Sequence, residues 1–338
     1  MYVETFTHSK DPANPGSNED RLVIYGDTLF SVIDGVTDKS GETYDGLTGG
    51  QLAGLLIEGA LREVVDAKRA FAAPAREILD LIDDRFRAEY RRRGLEKRME
   101  REPVLRFGAQ LAALFTDGER IRLLHIGDCG VLVDGKPLDD QVQAGDAVLS
   151  HVRSRIYHRL NAAGAEPEAR LALARAAIVD GLDAFTPPAT ALLTGLNWPS
   201  LREELLAELP AAFPGLPANH VTQAARGGLR QLAHHRNTEH PLGHGCIDGT
   251  RVPDAYVKDT LLSWSQASVI EIHSDGYFGR PALGGTVTAW EAHLAHVELE
   301  DPEKVGSVLS TKGSSPGRFT DDRTILILRK DAPKNAPA

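Results

Sequence analysis

Five aspartates in this 338-residue chain share one local setting. Asp20 in "SNEDRLVI", Asp34 in "FSVIDGV", Asp128 in "LLHIGDCGVL", Asp275 in "VIEIHSDGY" and Asp321 in "RFTDDRTILIL" each stand at the edge of an apolar, strand-like run. One such residue is an ordinary turn aspartate; five at strand ends call for a shared cause. Gathered in one place, their carboxylates would repel one another unless cations neutralised them, because burying unpaired charge is costly. Hard oxygen ligands of this kind suit Mg²⁺ or Mn²⁺. Two such ions about 3.5 to 4 Å apart can hold a bridging water, lower its pKa and aim it at phosphorus. Metal-assisted phosphate hydrolysis is the chemistry that follows.

The elements that must carry these residues can be read from periodicity. "LVIYGDTLFSVID", residues 22–34, reads as two short strands around the turn dipeptide Gly26-Asp27. Such a hairpin brings Asp20 and Asp34 to the same end. A helix is expected to begin near Thr48 or Gly50, since Leu52, Leu55, Leu56, Gly59, Ala60 and Val64 recur at three- and four-residue steps. A second, over Ala75 to about Arg93, carries Ile78, Leu79, Ile82, Phe86 and Tyr90 on one stripe. Residues 108–136 alternate around Asp117-Gly118 and Asp134-Gly135, which predicts a meander of three antiparallel strands.

From Asp139 to about Lys258 the strand pattern gives way to helical spacing over 151–182, 200–209 and 220–235, punctuated by Pro187-Pro188, Pro199, Pro210, Pro214 and Pro217. Strands return at 268–276 and 323–330, with a helix containing Trp290, Leu294 and Val297 between them. The order of elements predicts an α+β fold with antiparallel sheets rather than a doubly wound one. The tail 331–338, rich in Pro, Lys and Ala, is expected to be disordered.

In order and strand context, "NED", "VIDG", "HIGDCGVLV", "HSDG" and "TDDRTILIL" resemble the PP2C (PPM) family of metal-dependent Ser/Thr protein phosphatases over residues 18–329. The resemblance implies an α-β-β-α sandwich of two antiparallel sheets flanked by helices, spanning 1–330 as one domain. The helical segment at about 139–260 would be an insertion over the edge of the active site. It implies two Mg²⁺ or Mn²⁺ ions and a third, weaker one. Asp34 would bridge both metals with help from the Gly35 carbonyl, and Asp275 and Asp321 would hold the first. Asp20 and Glu19 would act on the side of the second, partly through water, and Asp128 would serve the weak third metal. Asp34 and Asp275 would be the catalytic pair, and the substrate a phosphorylated protein.

Several positions depart from the family pattern. Pro15 stands where a phosphate-binding Arg is usual, Val36 where a His often follows "DG", Asp322 where the closing motif has Asn, and Ala109-Gln110 where Ser-Thr is usual. Arg21, Lys10 and His8 lie nearby as cations that could hold phosphate. Two rival readings follow: a pseudophosphatase that binds metal or a partner without hydrolysis, and a phosphatase for a small phosphorylated metabolite.

Composition narrows the remaining classes. A net charge of −10 argues against a nucleic-acid partner. The basic run Arg91–Arg93 with Lys97 and Arg98 is interleaved with Glu89, Glu96 and Glu100, as on a solvated helix face. Cys129 and Cys246 lack metal-type spacing, and a reducing cytoplasm fits them. No apolar run approaches the length of a membrane span. His234, His235, His240 and His244 are expected to serve turns and caps, or contacts near the active-site mouth, rather than zinc, because no second ligand cluster accompanies them.

Overall fold

The computed structural model describes residues 1–37, 41–138, 143–186, 197–315 and 317–330. Contacts divide the chain into two compact units. One comprises Met1–Gln141, Gly245–His296 and Gly317–Ala338; the other comprises Val142–His244 and Val297–Pro316.

The first unit is built on two five-stranded sheets whose paired strands all run antiparallel. One sheet has the order β1-β10-β9-β6-β7, with β1 Tyr2–His8, β10 Arg323–Arg329, β9 Val269–His273, β6 Gly130–Val133 and β7 Lys136–Pro137. The other has the order β2-β3-β4-β5-β8, with β2 Arg21–Tyr25, β3 Leu29–Gly35, β4 Ala109–Thr116, β5 Arg120–Ile126 and β8 Lys258–Ser263.

Strand alternation separates three apolar layers. Phe30, Val32, Ala112 and Leu114 from one sheet pack with Ile270, Ile272, Leu326 and Leu328 from the other. The opposite face of the second sheet, with Leu29, Ile33, Leu111 and Phe115, packs on α1 Gly49–Asp66 and α2 Ala75–Arg93. The opposite face of the first sheet offers Ile325 and Ile327 to Trp290 and Leu294 of α8 Val287–Glu300. Strands covered on both faces read as continuous apolar runs, which is how "TILILR" and "LAALF" read. The architecture implied by the resemblance, two antiparallel sheets flanked by helices, is the one found.

The hairpin is found as expected: β2 and β3 pair with Arg21 opposite Ile33, and Gly26 turns at φ +57°. Helix α1 begins where expected, with Thr48 as N-cap in a capping box with Gln51. The expected meander over 108–136 is corrected. β4 and β5 pair, but β6 joins β9 and β7 in the other sheet. The chain crosses between sheets at Gly127, whose φ of +92° only glycine adopts easily. β1 and β8 were not foreseen, and Pro210, read as a breaker, lies inside the last turn of a helix.

The second unit is helical: a shorter α3 Glu96–Arg101 belongs to the first unit, and α4 Ala144–Ala162, α5 Pro167–Asp180, α6 Trp198–Ala212 and α7 Ala218–Leu232 make the second. Val152, Ile156, Ile178, Leu205, Leu209 and Val221 form its core. Arg153 is buried within it and donates to the carbonyls of Glu303 and Ser310, at 2.9 and 3.1 Å, which ties the stretch after α8 to α4. The expected insertion over about 139–260 thus holds its helices between 144 and 232, while β8 begins at Lys258 in the first unit. The tail 331–338 lies outside the described residues.

Candidate metal centre

The hairpin register sets Asp20, just before β2, beside Asp34, the last residue but one of β3. Asp275 follows β9 in the other sheet, and its N–H donates to Asp34 Oδ2 at 3.2 Å. Asp128 sits at the sheet-to-sheet crossing, its N–H donating to Gln110 Oε1 at 2.9 Å. Gln110 in turn lies opposite Asp34 in the β3–β4 ladder. Four strand ends from two sheets therefore converge. Carboxylate oxygens of Asp34, Asp128 and Asp275 come within 4.8 Å of one another.

The backbone around this centre is too close for side chains. A Cβ on Gly35 would lie 2.5 Å from the Glu19 carbonyl and 2.8 Å from Gly50, at the start of α1. On Gly276 it would lie 2.0 Å from the Asp322 carbonyl, which fixes the turn after Asp275 against the start of β10. Ser274 closes the frame: its Oγ donates to Asp20 Oδ2 at 2.6 Å and accepts from the Thr324 N–H at 2.9 Å.

Electrostatics are strained in one direction. Burial, opposed by the Ser274 hydroxyl and reinforced by Asp322, Asp321 and Asp275, pushes Asp20 up to about 8. Burial, then the charges of Asp275, Asp20, Asp128 and Asp321, holds Asp34 well above the usual carboxylate range. Hard oxygen donors that repel one another at this spacing fit a divalent cation, which relieves the repulsion. Cys129, next to Asp128, is buried, and burial, then the neighbouring carboxylates, holds its thiol well above its ordinary value.

Glu19, expected to act partly through water, and Asp321, expected as a ligand, form a second acidic group with Asp322. All three are buried. Lys10 reaches them: its Nζ is 2.9 Å from Asp322 Oδ2, 3.2 Å from Glu19 Oε2 and 3.7 Å from Asp321 Oδ1. Thr48 Oγ donates to the other Glu19 oxygen at 2.7 Å. In the sequence Lys10 is only a neighbour of this motif; nothing local marks a contact across 312 residues. Arg21 is held by Glu58, and His8 Nδ1 lies 2.7 Å from the Ser9 carbonyl.

The histidine segment behaves as expected of a turn: His240 Nδ1 accepts the Leu242 N–H at 3.1 Å, and the His235 and His240 rings stack at 3.9 Å. Among the described residues, the aspartate trio alone brings three His, Cys, Asp or Glu ligand atoms this close. Also among them, no helix is long and apolar enough to cross a membrane.

The sequence matches no protein-family model and no curated protein sequence. Solved structures that align over nearly the whole chain include serine/threonine phosphatases. The Mycobacterium tuberculosis serine/threonine phosphatase PstP/Ppp shares 17% identity at TM-score 0.41, over 97% of this chain and 98% of its own. The catalytic domain of serine/threonine protein phosphatase PstP in complex with two manganese ions shares 16% at 0.42, over 96% of each chain. Serine/threonine phosphatase Stp1 from Staphylococcus aureus shares 11% at 0.44, over 98% and 96%. At such scores and identities these likenesses assign neither a family nor an activity to the chain.

Proposed function

We propose that this chain is a cytoplasmic, metal-dependent phosphatase that hydrolyses phosphoserine or phosphothreonine in proteins. The close approach of Asp34, Asp128 and Asp275 carboxylates carries the assignment. These three would hold divalent ions, with Asp20 beside Asp34 and the Gly35 carbonyl at the same strand end. Bound there, a pair of Mg²⁺ or Mn²⁺ ions supplies charge neutralisation and an acidified water for attack on phosphorus. The chain's own part is to hold the ligands: Asp275 N–H orients Asp34, Ser274 orients Asp20, and Gln110 pins the backbone at Asp128. No side-chain nucleophile is called for, and Cys129 beside the centre is buried, with burial pushing its thiol up.

Turnover of a phosphopeptide by the purified protein should require Mn²⁺ or Mg²⁺ and stop with EDTA. Asp34→Ala and Asp275→Ala should each abolish it. Unchanged rates in both variants would sink the assignment. Comparing phosphopeptides with small phosphorylated metabolites at equal concentration fixes the substrate class.

One observation favours a second reading, a metal- or partner-binding pseudophosphatase. Pro15 replaces the usual phosphate-binding Arg, and nearby cations are engaged by carboxylates: Lys10 as above, Arg21 by Glu58 and Arg323 by Glu291. Wild-type protein that takes up Mn²⁺ yet turns over neither substrate class would establish it.

A further inference from the structure

The Lys10 ammonium has a ligand shell of oxygens. Around Nζ stand Asp322 Oδ2 at 2.9 Å, Glu19 Oε2 at 3.2 Å, Thr37 Oγ at 3.5 Å and Asp321 Oδ1 at 3.7 Å. Three of the four come from buried carboxylates. The shell is made independently of the ammonium. Asp322 also accepts the Lys10 and Glu19 N–H groups, at 2.8 and 3.1 Å. Asp321 accepts the Asp322 N–H at 3.0 Å. Glu19 accepts hydroxyls from Thr37 and Thr48 at 2.6 and 2.7 Å. Hydroxyls and carboxylates fixed in this way, about one point charge, are the donor set of a hard cation. One positive charge faces three acids.

We propose that Lys10 is a positioning residue that serves as a built-in cation. It occupies the place of a divalent ion on the Glu19–Asp321–Asp322 side, so that exchangeable metal is confined to the side of Asp34, Asp128 and Asp275. The proposal deepens the metal-dependent reading, since it concerns the same acidic end. It departs from the ligand scheme the resemblance implies, in which Glu19 and Asp321 act on metal. A tethered ammonium cannot be removed by chelation, so this side of the centre keeps its geometry when the metals leave.

The test compares wild type with Lys10→Met in the full chain, using Mn²⁺ alone as the probe. Metal bound per chain is measured by equilibrium dialysis, and melting is followed in EDTA and in Mn²⁺. Lys10→Met should melt about 3 °C or more below wild type in EDTA, recover in Mn²⁺, and bind one more Mn²⁺ per chain. The double variant Lys10→Met/Asp322→Asn, which removes one acid with the cation, should return both quantities toward wild type. Equal stoichiometry and equal EDTA melting in wild type and Lys10→Met would overturn the proposal. So would loss of folding in both variants even with Mn²⁺, which would make the lysine a packing residue. Neither readout needs substrate, so a silent phosphatase assay leaves this result standing, and failure here leaves the hydrolysis result intact.

Discussion

The acidic end of the first unit has two sides that handle negative charge in opposite ways. Around Glu19, Asp321 and Asp322 the protein supplies an ammonium, backbone N–H groups and two threonine hydroxyls. Around Asp34, Asp128 and Asp275 the Asp275 N–H donates to Asp34, and the carboxylates have further acids as neighbours. Folding tolerates the second arrangement only at a cost, visible in the upward displacement of Asp34 and Asp20. The first side is built to stand by itself; the second is built to be completed. Strain of that kind is characteristic of functional sites, where local stability is given up for chemistry.

The largest effect should come from breaking the second side. We predict that Asp34→Asn lowers Mn²⁺-dependent turnover by about a thousand-fold, roughly 4 kcal/mol of lost transition-state stabilisation. The same variant should melt higher than wild type in EDTA at pH 8, because it deletes a carboxylate that burial and like charges disfavour. Steady-state kinetics and calorimetry check the two halves. A variant that loses activity and also melts lower in EDTA would show that Asp34 is stabilising, and the contrast between the sides would be lost.

Much of this end was legible in the sequence because its parts are local. The turn dipeptide Gly26-Asp27 and flanking alternation specify the β2–β3 hairpin, and with it the pairing of Asp20 and Asp34. Helices α1 and α2 follow from apolar residues at three- and four-residue steps. What was not legible is long-range or weakly patterned. β1 and β8 are edge strands, one in each sheet, and carry the polar, half-exposed residues that edges require. Alternation in 130–133 identifies a strand but does not say which sheet accepts it, so nothing local marks the crossing at Gly127. The five aspartates were visible, but not that Asp34, Asp128 and Asp275 gather as a trio while Asp321 lies by Lys10. Its main partner, Asp322, was noted only as a departure from Asn.

The junction of the two sides offers the next test. Gly276 lies between Asp275 and the start of β10, and a methyl there would meet the Asp322 carbonyl at 2.0 Å, backbone against which nothing flexible can yield. We predict that Gly276→Ala destabilises the protein by about 3 kcal/mol and weakens Mn²⁺ binding together with stability, since it displaces Asp275 and Asp322 at once. Gly284→Ala would meet Glu271 Oε1, a side-chain atom, at 2.8 Å and should leave Mn²⁺ binding unchanged. Equal loss of metal affinity in both variants would show that the effect is global destabilisation rather than displacement of the site.

A buried acid elsewhere calibrates the contrast. Asp83 on α2 is 2% exposed, and burial, offset by Arg87 and reinforced by Asp248, raises it to about 7. A carboxyl raised in the folded state holds its proton where the unfolded chain has released it. Its effect on stability is therefore absent below the unfolded value near 3.8 and grows unfavourably as pH rises toward 7. We predict that Asp83→Asn removes that decline, leaving the variant about 2 kcal/mol more stable than wild type at pH 8 and indistinguishable from it near pH 4. Urea titrations across this range in EDTA give the comparison. A gain of the same size at both pH values would mean that packing, not charge, limits stability at Asp83. With Mn²⁺ added, the gain from Asp83→Asn should persist while the gain from Asp34→Asn disappears, because a cation relieves only the acids gathered to receive one.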